Sequence, residues 1–120
     1  VDDDEIVLAH LSSLLNDAQH VVHTLPSAIG VTRALLAHQI DVVAIDITMP
    51  SLPGDKLAAL LRQNPRLKSL GVVLISSRPA EELQAIATQV AADAVVTKAE
   101  ARTKLVAAVE LAAKLRGKFP

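Results

Sequence analysis

The chain has 120 residues, a formal net charge of −1, 51% hydrophobic residues and a single aromatic, Phe119. That length suits one domain over 1–120 whose core must be aliphatic, and the near-neutral balance gives no reason to expect direct nucleic-acid contact or an acidic membrane surface. The absence of cysteine excludes disulfides, thiolate catalysis and cysteine-based zinc sites, and no apolar run reaches the ~18 residues of a membrane span.

The sequence opens on acids rather than on a basic, apolar leader, so a soluble, cytoplasmic setting is the expectation. Val1 reads as the stub of a first strand that lies largely outside this sequence, followed by Asp2, Asp3 and Asp4. Leu8, Leu11, Leu14 and Leu15 recur at helical spacing and predict a helix over 5–18, with Asp4 placed to cap it. Val21-Val22 marks a short second strand. A second helix is expected from the turn at Pro26-Ser27 to His38, with Ile29, Val31, Leu35 and Leu36 on its apolar side.

Residues 41–46 give the clearest strand, and Pro50, Pro53 and Gly54 punctuate the loop after it. Leu57, Leu60 and Leu61 form the stripe of a third helix that ends near Asn64-Pro65. Val72-Val73-Leu74-Ile75 is a continuous aliphatic strand between Gly71 and Ser76. Pro79 suits the first turn of the next helix, which carries Leu83, Ile86, Ala87 and Val90. A last strand over 93–97 ends at Lys98, and from Glu100 a long helix presents Leu105, Val106, Val109, Leu111 and Leu115. Strict alternation of strand and helix predicts an α/β fold: a doubly wound, five-stranded parallel sheet with helices on both faces.

In a parallel sheet all strand carboxyl ends lie at one edge, so distant residues meet there. The acids after Val1, Asp46, Ser76 and Lys98 stand at those ends. Several carboxylates at one edge repel each other unless a cation sits among them, which points to an oxygen-lined divalent-metal site with one exposed, reactive Asp. Acids, a hydroxyl and a lysine together suit phosphoryl transfer. The acids hold Mg²⁺, one carboxylate attacks phosphorus, and lysine and hydroxyl bind the oxygens of the transferred group. The four histidines lack ligand spacing on one face and are read as surface or partly buried residues.

In these residues (Val1 to Asp4, Asp41 to Pro50 with Gly54, Val72 to Ser77, Asp93 to Lys98) the chain resembles the receiver domain of bacterial two-component response regulators, of flavodoxin-like fold. The resemblance implies that Asp46 accepts a phosphoryl group from a sensor histidine kinase or phosphotransfer protein. It implies that Asp2, Asp3, Asp46 and the backbone carbonyl of Thr48 bind Mg²⁺. Ser76 would be the switch hydroxyl and Lys98 the lysine that pairs with the phosphoryl group. The modified form would present an altered surface to a downstream effector or a fused output domain, and a homodimer through the last helix is compatible with this.

Four positions depart from the family pattern: Pro53 replaces a common Asp and stiffens the loop, Ser77 replaces a frequent alanine, and two others bear on switching. Ala99 stands where proline usually follows the lysine, so a trans peptide is expected, because a non-proline cis bond costs ~3 kcal/mol. Val95 replaces the family's aromatic switch residue and offers no ring to move. These departures keep open an alternative, a pseudo-receiver that binds partners without phosphate. Catalysis on an external substrate is disfavoured, because phosphohydrolases of this type place an acid two residues after the nucleophile, where Thr48 stands, and the four scattered glycines form no phosphate loop.

Overall fold

Val72 and Leu74 pack to one side of the central strand and Val73 and Ile75 to the other, and this alternation divides the molecule into layers. The computed structural model describes residues 1–118. Its elements in chain order are α1 (Glu5–Asp17), α2 (Val31–Ala37), β1 (Val42–Asp46), α3 (Gly54–Gln63), β2 (Gly71–Ser76), α4 (Ala80–Val90), β3 (Ala94–Thr97) and α5 (Ala101–Leu115). Short 3₁₀ turns occupy Pro65–Leu67 and Lys98–Glu100.

β1, β2 and β3 lie side by side in that order, all parallel, with Val43 opposite Val72 and Ile75 opposite Val96. Every residue of β2 is buried, as a central strand covered on both faces requires. One face packs Val43, Ile45, Val72 and Leu74 against Val31 and Leu35 of α2, Leu57 and Leu61 of α3 and Leu83 of α4. The other packs Val73, Ile75 and Val96 against Leu11 of α1 and Leu105, Val109 and Ala112 of α5. Each fully buried Leu, Ile or Val contributes about 1.5–3 kcal/mol relative to exposure. The doubly wound architecture expected from the sequence is therefore present.

Val1 makes one further rung. Its amino group donates to the Ala44 carbonyl at 2.7 Å, and its carbonyl accepts from the Asp46 N–H at 2.9 Å, the parallel pattern opposite Ile45. Among the described residues Val21-Val22 joins no strand, and Val21 is 87% exposed. Between residues 20–25 and the edge of β1 runs a groove of about 410 Å³, lined by Leu15, Val31, Leu35, Val43, Leu105 and Val109 among others. α2 begins at Val31, later than Pro26-Ser27 suggested, because Gly30 caps it in a left-handed conformation (φ 80°) and leaves Ile29 outside and exposed.

At the amino ends of the strands, Asp93 is held between two arginines. Arg62 Nη2 lies 2.9 Å from its Oδ2 and Arg116 Nη2 2.9 Å from its Oδ1, while the Val72 N–H donates to Oδ2 at 2.8 Å. Arg62 also donates to the carbonyls of Leu70 and Ala91, so one guanidinium fastens the end of α3 to the starts of β2 and β3. Burial and the neighbouring Arg116 lower the pKa of Arg62, and Asp93 opposes them.

Candidate functional site

At the opposite edge the strands deliver their polar residues together. Asp46 ends β1, Ser76 ends β2 and Lys98 directly follows β3. Because Asp46 is level with Ile75 and Ser76 with Thr97, the three fall at one rim. The Val1 rung sets Asp2 alongside them. One carboxylate oxygen from each of Asp2, Asp3 and Asp46 lies within 4.8 Å of the others. Asp4 does not belong to this cluster; its side chain accepts from the N–H groups of Ile6 and Val7 and caps α1.

Asp2 is 1% exposed. Its Oδ1 accepts from the Asp4 N–H at 2.9 Å, whereas its buried Oδ2 has no hydrogen bond and meets the Lys98 ammonium only as an ion pair at 3.1 Å. Lys98 Nζ also lies 3.4 Å from Asp46 Oδ2. Asp46 Oδ1 accepts from the Thr48 N–H at 3.2 Å. Asp46 is only 2% exposed, so the carboxylate expected at the surface is recessed.

Burial, and then the charge of Asp2, raise the Asp46 pKa above the ordinary carboxylate value; Lys98 and the Thr48 N–H act against that rise. For Lys98, burial alone would lower the pKa, but the Asp2 and Asp46 carboxylates outweigh it and raise it, so the ammonium stays charged. Ser76 is fully buried, and its Oγ accepts from the Arg78 N–H at 3.1 Å, which leaves the hydroxyl proton to donate. Thr48 is exposed, with Arg78 and Lys56 lining the same shallow pocket over the loop. There is no cis peptide among the described residues, so Lys98–Ala99 is trans as expected.

Gly54, which punctuates the loop in the sequence and belongs to the residues that carry the resemblance, packs directly on the backbone of Asp46, and its N–H donates to the Ile47 carbonyl at 2.8 Å. One contributor has no signal in local sequence: Glu100 spans the turn that carries Lys98, through contacts that the fold creates.

The response regulator receiver domain family profile matches residues 1–110. The chain belongs to this family. Among solved structures it is similar to a sensor protein from Polaromonas sp. JS666, with a TM-score of 0.87 and 19% identity over 96% of this chain and 93% of that one. The signal receiver domain of a signal transduction histidine kinase from Syntrophus aciditrophicus superposes with a TM-score of 0.84 and 20% identity, over 100% of this chain and 91% of that chain. The BeF₃-activated N-terminal receiver domain of RstA from Klebsiella pneumoniae gives a TM-score of 0.81 and 21% identity, over 94% of each chain. At these identities the likeness concerns the fold. Among curated proteins, stress response regulator protein 1 of Scheffersomyces stipitis is 35% identical over 48 residues, 40% of this chain and 17% of that protein. This receiver domain thus corresponds to a small part of that relative's length.

Receiver domains generally bind Mg²⁺ through an acidic cluster, and Asp2, Asp3 and Asp46 form such a cluster here. The donor set fits the ion: three carboxylates supply hard oxygen atoms, and the buried Asp2 Oδ2 has no partner besides the Lys98 ammonium. No helix of the described residues is long and apolar enough to cross a membrane.

Proposed function

We propose that this receiver domain is a phosphorylation-dependent signalling switch whose acceptor is Asp46. The observation that carries the reading is the meeting of Asp2, Asp3, Asp46 and Lys98 at one rim, with Lys98 bridging two carboxylates. The donor is a phosphohistidine of a sensor histidine kinase or phosphotransfer protein. One Asp46 oxygen forms the new O–P bond as the donor's N–P bond breaks, and the imidazole leaves with that electron pair. Mg²⁺, held by Asp2, Asp3, Asp46 and the Thr48 carbonyl, would offset charge on the oxygens of the transferred group when bound.

The protein's own groups do the rest. Burial removes water from around Asp46, which makes nearby charges felt more strongly. Lys98 pairs with the added phosphoryl charge, and the free proton of Ser76 donates to one of its oxygens. Both interactions draw the loops after β2 and β3 toward Asp46 and bias the outer surface between two arrangements. With Val95 in place of a ring, the readout runs through these loop shifts. An effector protein or fused output domain reads the altered surface, and no external substrate is turned over.

The trans Lys98–Ala99 peptide and Val95 give weight to a second reading, an interaction module that works without phosphate. Beryllofluoride with Mg²⁺ separates the two. NMR shifts of Ser76, Lys98 and the residues around them are expected for the switch; a spectrum that does not change beyond the effect of Mg²⁺ alone supports the module.

A further inference from the structure

Lys98 reaches Asp2 and Asp46 from the first position of a 3₁₀ turn, Lys98–Glu100. A lysine ammonium sits at the end of four rotatable bonds, so its placement depends on how firmly its backbone is held. Ala99 imposes no restraint of its own, and the peptide is trans. The restraint comes from the next side chain. Thr97, just before the lysine, donates its hydroxyl to Glu100 Oε1 at 2.9 Å. Lys104, one turn into α5, meets Glu100 Oε2 at 2.5 Å. Thr103 donates to the Glu100 carbonyl at 3.2 Å, and the Ala101 N–H closes the turn on the Lys98 carbonyl. One carboxylate therefore ties the end of β3 to the first turn of α5, with Lys98 enclosed between.

We infer that Glu100 is a positioning residue: by bonding Thr97 and Lys104 on either side of Lys98, it fixes the lysine ammonium at the acidic site. The inference rests on the proposed role of Lys98 at Asp46, but its structural half stands apart from that role. The Lys104–Glu100 pair is solvent-exposed and adds little stability by itself, so what the two contacts supply together is the orientation of one carboxylate. The clamp lies at the surface, outside both hydrophobic cores, so its loss should leave the fold intact while loosening the lysine.

The test is a cycle of Glu100→Ala, Lys98→Ala and the double variant, with Glu100→Gln and Thr97→Val alongside. The first readout is the Lys98 amino-group signal in ¹⁵N NMR. It is expected to be visible and slow to exchange in the unmodified protein and broadened in Glu100→Ala, with thermal unfolding nearly unchanged. Glu100→Gln keeps the acceptor for Thr97 and should restore part of the signal. The second readout is phosphoryl uptake from acetyl phosphate, expected to fall roughly tenfold in Glu100→Ala, while Glu100→Ala adds no further loss to Lys98→Ala. An unchanged amino-group signal in Glu100→Ala, or additive losses in the double variant, overturns the inference. Failure of the unmodified protein to take up phosphoryl would instead strike the switch reading, and the NMR comparison would still judge the clamp.

Discussion

A Cβ on Gly54 would stand 2.1 Å from the carbonyl oxygen of Asp46 and 2.7 Å from its carbonyl carbon. Backbone cannot yield as a flexible side chain does, so any larger residue must push the start of α3 away from the end of β1. Gly54→Ala is expected to destabilise the protein by about 1–3 kcal/mol, the usual cost of overpacking. It should also slow modification of Asp46 by more than that loss of stability explains, because the displaced atoms belong to the proposed acceptor. Urea unfolding and phosphoryl uptake, measured on the folded fraction, check both expectations.

Asp46 works at the expense of stability. Its folded-state pKa is raised, by burial first and by Asp2 second, so the folded protein keeps this proton to higher pH than the unfolded chain does. Unfolded protein then binds fewer protons, and stability falls as pH rises from the ordinary value of 3.8 through the folded pKa, levelling above it. Asp46→Asn removes that charge and should be the more stable protein in Mg²⁺-free buffer near neutral pH, by on the order of 1 kcal/mol. Its advantage should shrink as pH is lowered toward about 4. Paired denaturation curves across pH give the difference directly.

Asp93 serves the fold from the opposite edge of the sheet. Its removal leaves Arg62 and Arg116 partly buried without their anion and the Val72 N–H without its acceptor. Asp93→Ala is expected to cost about 3–5 kcal/mol. Mg²⁺ affinity of the fraction that stays folded should not change, since the acidic site is built at the other ends of the strands. Calorimetry for the first and magnesium titration for the second separate scaffold from site.

Arg78 is exposed and lines the same pocket as Thr48 and Lys56, just beyond Ser76. We predict that its guanidinium pairs with an anionic oxygen on phosphorylated Asp46 and shields it from water. Arg78→Ala should shorten the lifetime of the phosphorylated protein several-fold, with unfolding within roughly 0.5 kcal/mol of the parent. Decay at matched Mg²⁺ concentration measures it.

The central strands were legible because β1 and β2 are continuous aliphatic runs, which is how a strand buried on both faces reads. The acids, hydroxyl and lysine were legible because each sits where such a run stops. Val21-Val22 misled because a pair of residues carries no periodicity, and only tertiary pairing decides its state. Ile29 fits the apolar stripe of α2 by spacing, but the left-handed Gly30 starts that helix two residues later. The burial of Asp46 has no local signature, because the groups gathered around its carboxylate, Asp2, Asp3 and Lys98, come from distant parts of the chain. The same holds for Asp93, whose partners come from α3 and the end of α5, and for Glu100, whose bonds exist only once the turn is made.

Phosphoryl transfer to Asp46, at a rim built by Asp2, Asp3, Ser76 and Lys98, is read by intact-mass spectrometry after incubation with acetyl phosphate and Mg²⁺, with Asp46→Asn and a magnesium-free sample as controls. A mass gain of one phosphoryl group that requires Mg²⁺ and disappears in Asp46→Asn is expected. An unmodified parent protein, or an equal gain in the variant, rules Asp46 out as the acceptor.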